Sequence, residues 1–354
     1  MKKLTAFLLG IGAATLFVSL VLTSCTKTGP AGTNGKDGQN GQDANATCTQ
    51  CHNFADTIVA KIFQYDASKH ASGSTLMEAT RNACAPCHSS QGYDEVWVTG
   101  ADTTATGITD AAPINCRTCH KIHNTYTRAD WGIKFTTAFS PRYDHTASID
   151  LAANGGTSNL CARCHQARAA SPALTNPLSN TDSIRMTSNR WGPHHGPQGL
   201  ILAGKGAFET GTASFGNSPH RDQASCITCH GGYAQGNLVG GHTLIMHDVS
   251  ANNLGDNFTV CKQCHSSATS FDIGGAQTTI EGMFQDLKVK LATANVLDSN
   301  TMLLKVPKYY KQKQMAVFWN FQMVYADRSN GVHNYQYTYD LLQSGIDYMN
   351  SLGY

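Results

Sequence analysis

The chain has 354 residues, enough for a sizeable core or for two domains, and only 14% of them are charged. The formal net charge is +2, and Lys2 and Lys3 account for that excess, so the rest of the chain is close to neutral. The sequence has no basic patch, which excludes nucleic acid as an expected partner.

Residues 1–24 predict a lipoprotein signal peptide. Lys2 and Lys3 precede a long apolar run, and the run ends in Leu-Thr-Ser-Cys at Cys25. This ending resembles a bacterial lipobox, which implies cleavage before Cys25 and lipidation of that cysteine. A retained transmembrane helix is the alternative, since the apolar run approaches the length needed to span a bilayer. The residue after a lipobox cysteine helps to sort a lipoprotein between membranes. Here that residue is Thr26 and not Asp, which favours the outer membrane.

Residues 25–47 predict a lipidated cysteine followed by a flexible linker. Residues 29–43 form five Gly-x-y triplets, the pattern of collagen. Five triplets are few for a stable triple helix, so we interpret the segment as a spacer that separates the following body from the lipid surface.

Residues 48–275 contain six copies of Cys-x-x-Cys-His, the attachment signature of a c-type haem. The two thiols bind the haem vinyl groups covalently, and the adjacent histidine binds iron. Zinc ribbons and disulfides explain the pattern less well, because neither needs a histidine after every cysteine pair. The predicted covalent sites are Cys48, Cys51, Cys84, Cys87, Cys116, Cys119, Cys161, Cys164, Cys226, Cys229, Cys261 and Cys264. The predicted proximal ligands are His52, His88, His120, His165, His230 and His265.

The segments between the motifs are rich in Gly, Ser, Thr, Asn and Asp and predict a haem-binding body of short helices and loops. Short helices are expected around residues 53–66 and 75–85, and loops at Gly196–Gly216 and Gly231–Gly241. The macrocycles are expected to supply most of the apolar core.

Residues 276–354 predict a C-terminal helical cap packed on the haem body. Apolar residues recur at helical spacing in residues 278–297 and 335–350, and residues 312–326 are apolar enough to predict a buried helix.

The second axial ligand of each iron decides the function. A second histidine produces an electron carrier, whereas an open position produces a candidate catalyst. The chain has 15 histidines, so nine remain after the six proximal ones. Nine are enough to give each of six irons a second histidine ligand.

The sequence resembles the multihaem c-type cytochromes with bis-histidine haems, here a hexahaem protein of lipoprotein type. The segments that carry the resemblance are SKHAS, CAPCHSSQGY, CRTCHKIH, HHGPQG, SPH before CITCH, GGHTLIM and DRSNGVHN. His195 is preferred to His194 within HHGPQG, while His145 and His247 are reserves and Met246 is a methionine alternative. The resemblance implies distal ligation by His70, His123, His195, His220, His242 and His333.

The resemblance also implies a mainly α fold with extensive loops, a haem-dominated core, six covalent c-type haems and a role in electron transfer. The expected partners are a quinol dehydrogenase or another redox protein upstream, and a terminal reductase or extracellular acceptor downstream. We expect an exported, lipid-anchored protein of anaerobic respiration at the periplasmic or cell-surface face of the outer membrane.

Two other functions remain open from the sequence. Multihaem reductases of nitrite, hydroxylamine or tetrathionate have similar haem packing, but the nitrite-reducing families typically carry a Cys-x-x-Cys-Lys motif that is absent here. A filament of stacked subunits is the third possibility. Within any of these, the segment Cys116–His123 is expected to ligate two irons, through His120 and His123, and so to hold a tightly coupled haem pair.

Overall fold

Short helices and loops make up the first two thirds of the described chain. A computed structural model describes residue 52 and residues 56–211, 213–250 and 254–354. The α-helices of this part are Asp56–Asp66, Lys69–Ser72, Ala85–His88, Ser90–Thr99, Cys116–Cys119, Ala153–Ala162, Gln198–Ala203, His220–Gln223 and Cys226–Cys229. Single turns of 3₁₀-helix lie at Leu76–Thr80, Arg128–Trp131, Gly241–Thr243, Phe258–Gln263 and Ile273–Gly275.

Three long helices follow, at Ala276–Thr293, Gln312–Asp327 and Tyr335–Ser351. They confirm the predicted helices, although the first ends earlier than expected because the chain turns at Asn295 with a left-handed φ of 58°. Twelve of the sixteen residues of Gln312–Asp327 are buried, as its apolar sequence predicts. Its Phe321 ring stacks on Phe284 with centroids 4.5 Å apart.

The C-terminal helices share one apolar core with the preceding segments. Buried apolar residues from many segments between Phe139 and Met349 form a single cluster. Trp319 Nε1 donates to the carbonyl of Gly206 at 2.9 Å, and Asn320 Nδ2 donates to the carbonyl of Phe208. Side chains therefore build a substantial apolar core of their own in the described part of the chain.

The helix Gln198–Ala203 lies within a stretch that was predicted to be a loop. Residues 199–203 are all buried, so a packed helix forms within this glycine-rich segment. A Cβ on Gly199 would lie 2.6 Å from Ala162 Cβ and 2.8 Å from the carbonyl oxygen of His165. Glycine is needed there because the helix packs directly against the backbone of a haem motif.

Three small antiparallel sheets complete the described part of the chain. Ser183–Met186 pairs with Lys308–Lys311, His247–Asp248 with Gly255–Asp256, and Leu297–Asp298 with Leu303–Leu304. Within the described residues, no helix combines the length and the apolar character that a membrane crossing requires. The predicted signal peptide and linker lie outside the described residues.

Candidate haem-binding sites

The Cys-x-x-Cys-His motifs adopt one recurrent backbone arrangement. In each of the five motifs whose cysteines are described, the histidine N–H donates to the carbonyl of the first cysteine, at 2.7–3.2 Å. Asn115 with Thr118, and Ser225 with Thr228, form capping boxes at the start of the third and fifth motifs. Cysteines three apart on such a turn lie on the same face, which suits the two neighbouring vinyl groups of one haem.

Each of the six motif histidines faces a second histidine ring from elsewhere in the chain. The ring centroids of the pairs are 6.1–6.5 Å apart. The pairs in motif order are His52 with His123, His88 with His194, His120 with His242, His165 with His70, His230 with His333, and His265 with His220.

This separation suits a metal between the rings. Metal–nitrogen bonds to imidazole are about 2.0 Å, and the ring centre lies about 1.1 Å behind the nitrogen, so two rings on opposite sides of one metal have centroids roughly 6 Å apart. Six pairs at the same separation therefore fit six irons with two axial imidazoles each. Within the described ranges, three or more His, Cys, Asp or Glu side chains nowhere gather around a common metal position.

Acceptors hold the Nδ1 atoms of several paired histidines, which leaves Nε2 free to bind iron. A carbonyl or carboxylate can only accept, so the proton must lie on Nδ1. His165 Nδ1 lies 3.0 Å from Gln198 Oε1. His88 Nδ1 lies 2.9 Å from the hydroxyl oxygen Oγ1 of Thr75. The carbonyl contacts are His120 to Trp131 at 2.6 Å, His220 to Val332 at 2.6 Å and His230 to Leu244 at 3.0 Å.

His333 has the strongest acceptor of the set. Its Nδ1 lies 2.7 Å from Asp327 Oδ1, and the Asp327 side chain is only 2% exposed. Burial lowers the pKa of His333, but the charge of Asp327 and the hydrogen bond outweigh that effect and raise it. Asp327 was not identified from the sequence, because an aspartate six residues before a histidine is not a recognisable signal.

His123 has the opposite kind of neighbour. Arg117 Nη2 lies 3.1 Å from His123 Nδ1, and a guanidinium nitrogen only donates. A neutral imidazole carries one proton, so Nε2 is protonated while this contact lasts, and ligation of iron through Nε2 requires Arg117 to turn aside.

The ring that faces a motif histidine in the structure is that of His194, whereas the sequence favours His195. The His194 ring faces His88 at 6.5 Å, and among the described residues the His195 ring contacts that of His194, at 5.1 Å. His194 adopts a left-handed φ of 76°, which sends the two neighbouring side chains in different directions. The reserves contact carboxylates: His145 contacts Asp102, and His247, which lines the cavity described below, contacts Asp256.

Most of the paired histidines for which a pKa shift is resolved are held neutral, the form that binds a metal. Desolvation and the neighbouring His165 lower the pKa of His70 to about 4. His194 lines the cavity described next, and desolvation together with the charge of Arg168 lowers its pKa to about 4. Desolvation also lowers the pKa values of His88, His230 and His242.

A continuous cavity of about 3070 Å³ connects the histidine pairs. Eleven of the twelve paired histidines line it, His265 being the exception. Its volume is several times that of a typical single-ligand pocket, which is about 300–1,000 Å³. We call it the histidine-lined cavity, and its size and lining fit a group of macrocycles better than one small ligand.

Thiols of different motifs lie next to one another on the walls of this cavity. None of the ten described cysteines forms a disulfide. The fourth motif is central, because its cysteines interact with those of the second, third and fifth motifs. Cys164 hydrogen-bonds to Cys87 and Cys161 to Cys226, whereas Cys161 with Cys119, and Cys229 with Cys261 of the sixth motif, interact only through their charges.

Part of the predicted site lies outside the described residues. This applies to Cys48 and Cys51 of the first motif and to the predicted lipidation site, Cys25. His52 of the first motif is described, and it faces His123 at 6.1 Å.

Comparisons with known proteins give a distant likeness to a solved structure. No protein-family model and no curated protein matches the chain. Among solved structures, it is similar to the outer cell wall cytochrome OcwA, with 20% sequence identity and a TM-score of 0.48. The match covers 82% of this chain and 50% of that one, so the chain spans about half the length of that structure. A likeness of this strength determines neither the fold nor the function.

Proposed function

We propose that the chain is a six-haem c-type cytochrome that transfers electrons. The cysteines of each Cys-x-x-Cys-His motif would hold one haem covalently, and the histidine pairs would bind the irons. A bound haem iron supplies one-electron redox chemistry. The observation that carries this proposal is the set of six histidine pairs with a common separation of 6.1–6.5 Å.

The same observation favours a carrier over a reductase. A reductase needs an iron with an open face on which the substrate binds, and each of the six motif histidines here faces a second ring. The alternative, a reductase of the nitrite, hydroxylamine or tetrathionate type, would require one distal histidine to leave its iron.

The contacts between motif thiols support a branched path for the electrons. The fourth motif neighbours the second, third and fifth, and the fifth neighbours the sixth. His120 and His123 extend the path from the third motif to the first, because they face His242 and His52 respectively. The haem of the fourth motif would be the junction, and Cys116–His123 would join the first and third haems.

We further propose that the protein is exported and anchored by a lipid on Cys25, with residues 25–47 as a flexible tether. A membrane-anchored electron carrier of this kind suits electron transfer from a quinol dehydrogenase or another redox protein to a terminal reductase or an extracellular acceptor. The lipobox-like sequence and the Gly-x-y triplets support this part of the proposal.

Haem stoichiometry tests the cofactor assignment directly. A pyridine haemochrome assay together with the intact mass of the mature protein should give six covalently bound haems per chain. A pair of variants adds a control within the molecule: Cys264→Ala, in the sixth motif, should remove one thioether bond, while Met246→Leu should leave all six haems attached. A count below six in the wild type would contradict the assignment.

The intact mass of the membrane-bound protein tests the anchor. Cys25→Ala should block lipidation and cleavage at this site, so the variant should lose the mass of the lipid and keep its leader. If the wild-type protein carries no lipid and also keeps residues 1–24, the alternative of a retained apolar helix is correct.

A further inference from the structure

A second, smaller cavity of about 280 Å³ lies beside the histidine-lined cavity. Arg142 and Asp102 line both cavities, so the two adjoin at these residues. The other nitrogen-containing side chains that line the smaller cavity are those of Arg163, Trp97 and His145. We call it the arginine pocket, and it contains none of the histidines that face one another in pairs.

Two buried donors on the wall of the arginine pocket have no acceptor. Arg163 is only 7% exposed, and its guanidinium lies 4.3 Å from the centre of the Trp97 ring. Arg163 Nη2 donates to the carbonyl of Thr137 at 3.3 Å, but Arg163 Nε and Trp97 Nε1 are buried without a hydrogen-bond partner. Buried N–H groups without acceptors are costly, so a species whose acceptor atoms reach them would be stabilised in the pocket.

The charge of the pocket selects an anion over water alone. In the described part of the chain, no carboxylate forms an ion pair with Arg142 or Arg163. Arg142 donates to the carbonyls of Ala83 and Asp102. The carboxylate of Asp102 is 3.0 Å from His145 Nε2. Two guanidinium groups thus face one carboxylate, which leaves a net positive charge that is partly shielded from water.

The propionates of the haems of the second and fourth motifs would lie away from Arg142. Arg142 Nη1 lies 3.8 Å from Cys87 Sγ, and Cys87 in turn contacts Cys164. The haem edges nearest Arg142 are therefore the edges that would bear the thioether bonds of the second and fourth motifs. The propionates of a haem are on the edge opposite its thioether bonds.

We propose that the arginine pocket binds a small oxyanion from solution. Arg142 and Arg163 supply its charge complement, and Trp97 Nε1 supplies a neutral donor. A volume of about 280 Å³ accommodates such an ion with several waters, since one water occupies about 30 Å³ of liquid.

Occupancy of the pocket is linked to the redox state of the haem of the second motif. An anion beside Arg142 adds negative charge close to Cys87, which stabilises the ferric form of that haem over the ferrous form. By reciprocity, the oxidised protein binds the anion more tightly than the reduced protein. A tenfold difference in affinity lowers the midpoint potential by about 59 mV at saturation. This redox link rests on the proposed function, whereas anion binding does not.

Calorimetric titration of the oxidised holoprotein with sulfate, and separately with phosphate, tests the proposal. The wild type should bind at one saturable site, and Arg142→Gln should weaken binding about tenfold or more. Trp97→Phe keeps an aromatic side chain beside Arg163 and removes the N–H together with part of the ring system, so it should weaken binding by a smaller factor. Arg185→Gln is the matched control, because it removes the same charge from the strand Ser183–Met186, which does not line the pocket.

The proposal is overturned if the wild type shows no saturable binding of either ion, or if Trp97→Phe and Arg142→Gln bind as the wild type does. An equal loss in Arg185→Gln would also overturn it, since the effect would then be one of overall charge. Trp97→Phe decides the matter if Arg142→Gln does not fold. A haem count below six would defeat the proposed function and leave the binding result unaffected.

Discussion

Asp327 should set the potential of one haem, that of the fifth motif. Its carboxylate holds His333 Nδ1 at 2.7 Å and is itself buried. A carboxylate in this position makes the imidazole a more basic ligand and stabilises ferric iron. Asp327→Asn keeps a hydrogen-bond acceptor of the same shape and removes the negative charge, so the ferric form loses stability and the midpoint potential rises.

The size of the shift follows from the geometry. An iron bound at Nε2 would lie about 7 Å from the carboxylate, given the 2.7 Å hydrogen bond, a ring about 2.2 Å across and a metal bond of about 2.0 Å. One charge at that distance, with an effective dielectric constant of about 20, contributes about 2.4 kcal/mol. At about 2.3 kcal/mol per 100 mV, the expected rise is about 100 mV.

A spectroelectrochemical titration of the haem α-band measures this shift. One of six one-electron components should move upward in Asp327→Asn, and the other five should stay close to their wild-type positions. Asp347→Asn is the matched control, because Asp347 is exposed and bonds only to Gln343 Nε2 among the contacts found for it. The reasoning fails if all six components are unchanged in Asp327→Asn, or if Asp347→Asn produces the same shift.

Three further results are expected. His194→Ala should produce one high-spin ferric haem in the electron paramagnetic resonance spectrum while His195→Ala leaves all haems low-spin, and the reverse outcome would restore His195 as the ligand. His123→Ala should likewise open one iron, and an unchanged spectrum would remove it from the ligand set. Gly199→Ala should destabilise the fold by about 1–3 kcal/mol in denaturant unfolding because its Cβ would lie 2.6 Å from Ala162 Cβ; wild-type stability would contradict that packing.

The sequence predicted the ligand candidates more successfully than their pairing. Cys-x-x-Cys-His is a local signal, so the motif residues could be identified without the fold. The partner of each motif histidine comes from a distant segment, as with His70 opposite His165 and His120 opposite His242. Such pairings depend on tertiary structure, and no local pattern encodes them.

The sequence does not separate His194 from His195 for a related reason. Adjacent residues share one sequence context, and their side chains are separated here by the left-handed backbone at His194. Nothing in the letters HHGPQG indicates which ring turns towards His88. The acceptor Asp327 was missed in the same way, because its role comes from the turn that brings it back to His333.

The helices could be predicted where burial of one face makes apolar residues recur at helical spacing. Gln312–Asp327 and Tyr335–Ser351 closely match the predicted ranges, because long apolar periodic segments carry a strong signal. Gln198–Ala203 was predicted as loop because glycine and proline surround it. Its helix is stabilised by tertiary packing against Ala162 and the fourth motif, which propensity does not reveal.

Spin quantitation of the fully oxidised holoprotein by electron paramagnetic resonance tests the central claim most directly. If every iron lies between two imidazoles, the integrated spectrum should account for six low-spin ferric haems per chain with no stoichiometric high-spin signal. A high-spin signal that integrates to one haem per chain would contradict the closed six-haem carrier and favour the reductase.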